Sequence, residues 1–371
     1  EERGGAVSEI VKNVAQAQKI AGTTYAVSQY PYCAYCSGFL YNKEMADEYG
    51  IDMHDGMSEE ELEAAGEILK SHGVWLTSSG MSEQLVYKFF TTMEIFGENG
   101  SCGVILDPAV STEVVNIFES PQLREFYKRI RSWYEKGYLP EDHMLSEVDI
   151  RQLFAQEKLF CVPTNVNAGQ MGIYSRHDIE CNIIKTSDIL ISTSSAAEFM
   201  LGISSACKNP EAAMDFINLI FEDPKVADLL NNGVKGLDYV PVEGTRNVIT
   251  SAGTLNEDGS RYGSGFVRFG NPLETKIVYP LTDDYYTELV QWEESAARSA
   301  SFGYRFDSSE YTVEARTAAR IIAEYLPILN TGMAKDVDGQ LDKFNQELKD
   351  AGIDRIIAAN NAQLQEYLAS R

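Results

Sequence analysis

A chain of 371 residues, 44% of them hydrophobic and 23% charged, has globular composition and enough length to bury a substantial core in one to three domains. Its 56 acidic residues against 31 basic ones leave a net charge of −25. A surface of that sign repels phosphate backbones and anionic lipid, which argues against nucleic acid as a partner and against peripheral membrane binding. No stretch reaches the length of a spanning helix, and the opening Glu1-Glu2-Arg3 carries no leader-like pattern, so the chain reads as starting at a processed or truncated end.

In chain order, Val7–Ile20 has helical spacing, and the β-branched and aromatic run Thr23–Val27 predicts a strand. A loop follows with Tyr30, Tyr32 and Tyr35 spaced by small residues, then a second short strand, Phe39-Leu40-Tyr41, and a helix start at Asn42. Three tyrosines in an exposed loop between buried strands are apolar surface placed to touch something. Ser58 and Glu61 form a capping box ahead of Leu62, Ala65, Ile68 and Leu69, and Gly73 ends that helix. A strand at Val74–Thr77, a helix over Glu83–Phe96 and a strand at Cys102–Leu106 continue the alternation, which predicts an α/β lobe with a mainly parallel sheet. Ser120-Pro121 opens a helix whose stripe is Leu123, Phe126, Ile130 and Trp133 or Tyr134. An amphipathic helix Leu145–Ala155 leads to a strand Leu159–Val162 and a loop over residues 163–169 that carries Asn165 and Asn167. Further on come a strand at Phe199–Ser204, helices after Asn209-Pro210 and Asp223-Pro224, a strand at Val240–Val242, a hairpin-rich region over 244–282, and helices at Tyr311–Tyr325, Gly339–Leu348 and Arg355–Leu368. No internal repeat or low-complexity linker appears, so the lobes are expected to be interwoven along the chain.

Signatures of chemistry are sparse. His54, His72, His143 and His177 are scattered, and no nucleophile elbow, P-loop or dinucleotide fingerprint is present. With 56 acids, a glycosidase pair can always be imagined and the composition gives no evidence for one. Cys33-Ala-Tyr-Cys36 is formally a CxxC, but it lacks a following helix and a second ligand pair, so free thiols or one local disulfide are expected. The acidic turns at 256–259 and 336–342 lack the positions of a calcium loop and read as turns or a helix N-cap. No cofactor, metal or catalytic residue is therefore assigned.

Several stretches, in order, resemble the family 1 extracellular solute-binding proteins, the sugar-capturing receptors of ABC importers. They are Tyr25-Ala-Val with Phe39-Leu40-Tyr41-Asn42-Lys43, Trp133-Tyr134-Glu-Lys-Gly137-Tyr138, Leu201–Ile217 around Lys208-Asn209-Pro210, and Phe344–Ile357, the last being similar to the tail of the longer lipoprotein subgroup. The resemblance implies a two-lobe α/β architecture with an interlobe cleft, lobe 1 at 1–32 plus 200–300 and lobe 2 at 33–199 plus 301–371. It also implies that roughly a hundred residues, the first strand–helix–strand units of lobe 1, would precede Glu1. The sequence leaves open whether this protein lacks them. Where the family has a glycine before the strand at Leu159, this chain has Gln156-Glu157-Lys158, a departure in register.

Sugars offer apolar faces that stack on aromatic rings and hydroxyls that pair with amides and hydroxyls. The tyrosine loop itself offers Tyr30 and Tyr32 as contacts; carried over position by position, the resemblance implies ligand contacts at Tyr35 in the first crossing, Trp75 and Ser78 at a strand end, Asn165 and Asn167 in the next loop, and Tyr304, Phe306 and Tyr311 near the last crossing. Trp292, spaced helically with Leu289, reads as core. The function implied is a non-catalytic extracellular receptor, monomeric, lipid-anchored in its precursor or periplasmic, that hands a saccharide to ABC permease subunits. The alternative is an extracellular carbohydrate-active enzyme or adhesion module using similar aromatics, which would need an acid pair with one pKa raised.

Overall fold

The computed structural model describes residues 4–20, 22–29, 31–78, 84–141, 150–168, 179–256, 260–263 and 267–371. The chain forms two compact units. One comprises Glu1–Tyr35, Asn167–Arg176 and Ile189–Arg298, the other Cys36–Val166, His177–Asp188 and Ser299–Arg371. The chain therefore passes between units five times, at 35/36, 166/167, 176/177, 188/189 and 298/299, where the sequence reading set boundaries at 32/33, 199/200 and 300/301.

The second unit is built on the strand Cys36–Asn42, every residue of which is buried. It pairs antiparallel with Cys161–Val166 on one side and Cys181–Lys185 on the other. A second sheet, Met93–Ile95, Val104–Leu106 and Val114–Val115, is antiparallel throughout. The expected mainly parallel sheet is thus corrected. The strand 36–42 pairs antiparallel with partners more than a hundred residues away, the second sheet is an antiparallel run of consecutive strands, and among the described residues of this unit parallel pairing is confined to short contacts such as Trp75 with Leu159. Helices Glu59–Ser71, Pro121–Glu135, Thr312–Asn330 and Val337–Asp350 line the core with residues such as Trp133, Tyr127 and Phe344, and Phe118 joins them from the 3-10 turn Ile117–Glu119.

Their ends follow from the sequence. The Ser58 hydroxyl accepts from Glu61 N–H while the Glu61 carboxylate accepts from Ser58 N–H, Ser120 caps a helix with proline in its first turn, and Asp336 accepts from Gly339 N–H at 2.9 Å. This last contact makes the acidic turn at 336–342 a helix cap, with Asp338 and Asp342 paired to Arg124 at 2.8 and 2.7 Å. Residues 257–259 of the other acidic turn lie outside the described residues. Buried amides tie the helices down: Asn345 donates to Phe118 O at 2.7 Å, and Asn360 donates to Cys102 O at 2.8 Å.

Two expected elements differ. The stretch expected as a helix over Glu83–Phe96 is a 3-10 turn at Val86–Phe89 followed by the strand Met93–Ile95. Of the stripe Leu85, Phe89, Phe90 and Met93 that the helical spacing gives, Leu85, Phe89 and Met93 are buried and Phe90 is half-buried. The β-branched pair Thr91-Thr92 and pairing with Val104–Leu106 decide the backbone conformation instead. Of the helix expected from Leu145, the described part is Ile150–Ala155.

The first unit is assembled from small pieces. Strands Ala26–Ser28 and Met200–Gly202 pair antiparallel. Tyr239–Pro241 and Val248–Ser251 form a hairpin, and Ile277–Val278 joins it in parallel. Leu190–Ile191 runs parallel to Ala297–Arg298. Helix Gly5–Ile10 lies on Pro210–Glu222, where the Asn218 side chain accepts from Ala6 N–H at 2.9 Å. The expected helix through Ile20 stops at Ile10 and continues as 3-10 turns over Lys12–Gln18.

Candidate functional site

In the first unit, Tyr32 and Tyr35 sit on a short extended segment held at every polar backbone group of its last two residues. Ala34 N–H donates to Glu293 Oε2 at 2.9 Å, and Ala34 O accepts from the Trp292 indole N–H at 3.0 Å. Tyr35 exchanges both backbone bonds with Leu190, at 3.0 and 2.8 Å. Trp292 and Glu293 are consecutive residues in the last turn of helix Tyr285–Ser295, so one helix end grips both sides of residue 34. Tyr32 is half-buried against a cluster formed by Val248, Ile277, Tyr285 and Leu289, with Ala168 beside it. Burial, and secondarily the carboxyl group of Glu293, raises the Tyr32 pKa. Burial likewise raises the carboxyl pKa of Glu293, with the Ala34 and Cys33 N–H groups and Arg298 opposing. Asn167 is exposed in the same unit. Tyr30 lies outside the described residues.

Burial, with Glu293 adding to it, pushes the Cys33 thiol up to about 12, and burial pushes the Cys36 thiol up to about 12. All six cysteines are free. Such thiols stay protonated at neutral pH and are poor nucleophiles and poor metal ligands. Among the described residues no group of three or more His, Cys, Asp or Glu could hold a metal ion.

In the second unit, Trp75 N–H donates to Lys158 O at 3.0 Å and Trp75 O accepts from Phe160 N–H at 2.9 Å, so the 75–76 segment extends the sheet beyond strand Cys161–Val166. Asn165 lies on that strand, opposite Ser37, and its side chain is exposed. This corrects the loop expected from 163 onward: the strand starts and ends later than the sequence reading set it. Trp75 sits beside Leu159, six residues before Asn165, which separates the two by about 20 Å along the strand. They are not brought together. Ser78 is buried.

Phe306 and Tyr311 stack with ring centroids 6.3 Å apart at 30°, and the Arg355 guanidinium lies 5.9 Å from the Tyr311 ring. Tyr304, expected beside them, is a core residue at 4% exposure. Its hydroxyl bonds Asn360 O and Oδ1 at 3.0 and 2.8 Å, and its ring packs on Phe96 and Tyr367. Helical and crossing spacing gave no way to separate it from Phe306, two residues on.

Sequence reasoning missed two side chains that bond the backbone of residue 34. Trp292 read as core because Leu289 lies one turn before it, yet its indole N–H is spent on residue 34. Glu293 is one acid among 56 and carries no local signature.

The chain resembles known proteins along nearly its whole length. A family model described as "Domain of unknown function (DUF3502)" matches residues 300–369. A protein of Streptococcus pneumoniae serotype 4, named carbohydrate ABC transporter substrate-binding protein, is 24% identical over 364 residues, covering 95% of this chain and 71% of that protein. The crystal structure of the N-glycan transport solute binding protein NgtS from S. pneumoniae superimposes with a TM-score of 0.84 at 23% identity, over 99% of this chain and 81% of that one. The same protein in complex with Man5GlcNAc gives a TM-score of 0.78 at 23% identity, over 100% and 81%. The fold is therefore the α/β fold of the solute-binding proteins.

Proposed function

We propose that this chain is the solute-binding receptor of an ABC importer, capturing an oligosaccharide outside the cytoplasm and passing it to the permease subunits without altering it. The observation that carries the reading is the match along nearly the whole chain to a carbohydrate substrate-binding protein and to a glycan-transport receptor. Its location is the outer face of the membrane, lipid-anchored in the full-length precursor, or the periplasm where an outer membrane exists. No described helix is long and apolar enough to cross a membrane. The receptor acts as a monomer, and its net charge of −25 keeps it from nucleic acid.

The side chains proposed to meet the sugar are Tyr32, Tyr35 and Asn167 in the first unit, and Trp75, Ser78, Asn165, Phe306 and Tyr311 in the second. Rings supply stacking faces and the amides and hydroxyl supply paired hydrogen bonds, the combination a neutral glycan needs. Tyr304 is left out because its ring and hydroxyl are both consumed in the core.

A thermal-shift screen against mannosyl–GlcNAc oligosaccharides, other oligosaccharides, amino acids and peptides tests this. A ligand at a hundredfold over its dissociation constant stabilises by about 2.7 kcal/mol, a readable shift. The reading predicts a shift with a saccharide and unchanged sugar on chromatography afterwards. A shift confined to amino acids or peptides, or release of reducing sugar, contradicts it.

A further inference from the structure

Pre-organising a contact loop strengthens binding because the ordering entropy is spent during folding rather than at association. The first unit contains such a device, and it centres on one residue.

We propose that Glu293, with Trp292, is a positioning residue for the saccharide-contacting tyrosines: it fixes the peptide of residue 34 so that Tyr32 and Tyr35 are presented in one conformation. The inference rests on the receptor reading above.

Three features carry it. First, the clamp is two-sided. Glu293 takes the Ala34 N–H at 2.9 Å and Trp292 takes the Ala34 carbonyl at 3.0 Å, so neither flank of that residue can rotate without breaking a bond. Second, the clamp lies between the two rings it orients. Tyr32 is wedged against the cluster around Tyr285 and Leu289 of the same helix, and Tyr35 is locked to Leu190 by two backbone bonds. Third, the grip is local. Ala34 and Tyr35 take their backbone bonds from one helix end and one short strand, and Tyr32 rests on the cluster that the same helix forms with Val248 and Ile277. An extended segment in no regular sheet would otherwise expose its backbone polar groups to water and sample several conformations.

Glu293 does not itself stack on sugar. The groups facing it are the Cys33 thiol at 4.0 Å, the Tyr32 phenol and Arg298, whose guanidinium donates to Asn13 O at 3.0 Å. The Cys33 thiol and the Tyr32 phenol are both held above their ordinary values by burial.

The test compares Glu293→Ala with Glu293→Gln in the full chain, using a Man5GlcNAc-type oligosaccharide as probe and amide hydrogen exchange at residues 33–35 as a ligand-free readout. Glutamine keeps the shape and an oxygen acceptor for Ala34 N–H, whereas alanine leaves that N–H without its partner. The proposal predicts faster exchange at 34–35 and about tenfold weaker saccharide binding in Glu293→Ala, the change given by about 1.4 kcal/mol of ordering cost moved from folding to association. Both are restored to within about threefold in Glu293→Gln. A merely structural role would lower melting temperature in both variants without this rescue of affinity. If Glu293→Ala is folded and binds with parental affinity, the positioning role fails while the receptor reading stands. If the parent binds no saccharide, the receptor reading fails and the positioning role with it, whereas parental binding with unchanged exchange in Glu293→Ala overturns the positioning role alone.

Discussion

At the scale of single residues, chemistry that looks alike in sequence separates by what surrounds it. Tyr35 and Tyr304 are both tyrosines expected at a ligand face, but Tyr304 is 4% exposed and bonded twice to Asn360. Tyr304→Phe is expected to lower unfolding free energy by about 1 kcal/mol, the worth of a buried hydroxyl bond, with saccharide affinity unchanged. Denaturant melts and calorimetric titration of the same variant check both halves. Glu293 gives a second prediction, through pH. Its folded-state pKa is raised above 4.5, mainly by burial, so the folded state holds the proton more tightly than the unfolded chain. Its contribution is fully present below 4.5 and is lost as pH rises through the raised value. Melts of the parent and Glu293→Gln at a series of pH values should therefore show the parent gaining stability relative to the variant on acidification from neutral. A difference independent of pH would contradict the assignment.

At the scale of elements, the central strand Cys36–Asn42 has the least tolerance. A Cβ built at Gly38 would stand 2.2 Å from the Ile184 carbonyl and 2.7 Å from a Val166 methyl, one on each neighbouring strand. Backbone cannot retreat on both sides at once, so Gly38→Ala should destabilise the second unit by several kcal/mol, on the order of the largest single-site effects. Circular dichroism and melting would show it, and a parental melting temperature would refute it. By contrast Ser58→Ala should cost about 1 kcal/mol, the usual worth of a lost N-cap. These cases mark what was legible. Caps at Ser58, Ser120 and Asp336 are read from two or three adjacent residues, so they stood in the sequence. Burial was legible too, since Leu85, Phe89 and Met93 are buried whether the backbone is helical or extended. Backbone conformation there was not, because a partner strand at 104–106 overrides the local period. Sheet direction was not legible either, for residue 38 faces residues 164 and 185 and no local pattern encodes partners so distant. Positioning residues such as Glu293 stay hidden for the same reason: their partner lies 259 positions away.

At the scale of the molecule, the α/β class and the likeness to sugar receptors were legible, because ordered motifs spread along the chain survive where single contacts drift. The site was legible only as a set of candidates. Of these the structure keeps Tyr32 and Tyr35 on one supported segment, separates Trp75 from Asn165 by about 20 Å of strand, and withdraws Tyr304 into the core. The acidic surface mildly disfavours an anionic ligand. With a net charge of −25, an anionic oligosaccharide of matched size should bind more weakly at low salt than at high salt, whereas a neutral glycan should show little salt dependence. The central claim is that this protein binds an oligosaccharide and leaves it whole. Isothermal titration with a Man5GlcNAc-type oligosaccharide, with the recovered sugar analysed by mass, tests it most directly. The account predicts saturable binding of one sugar per chain, weakened in a folded Tyr35→Ala variant, and sugar of unchanged mass. A folded protein that gives no heat with any oligosaccharide, or sugar recovered in fragments, would contradict it.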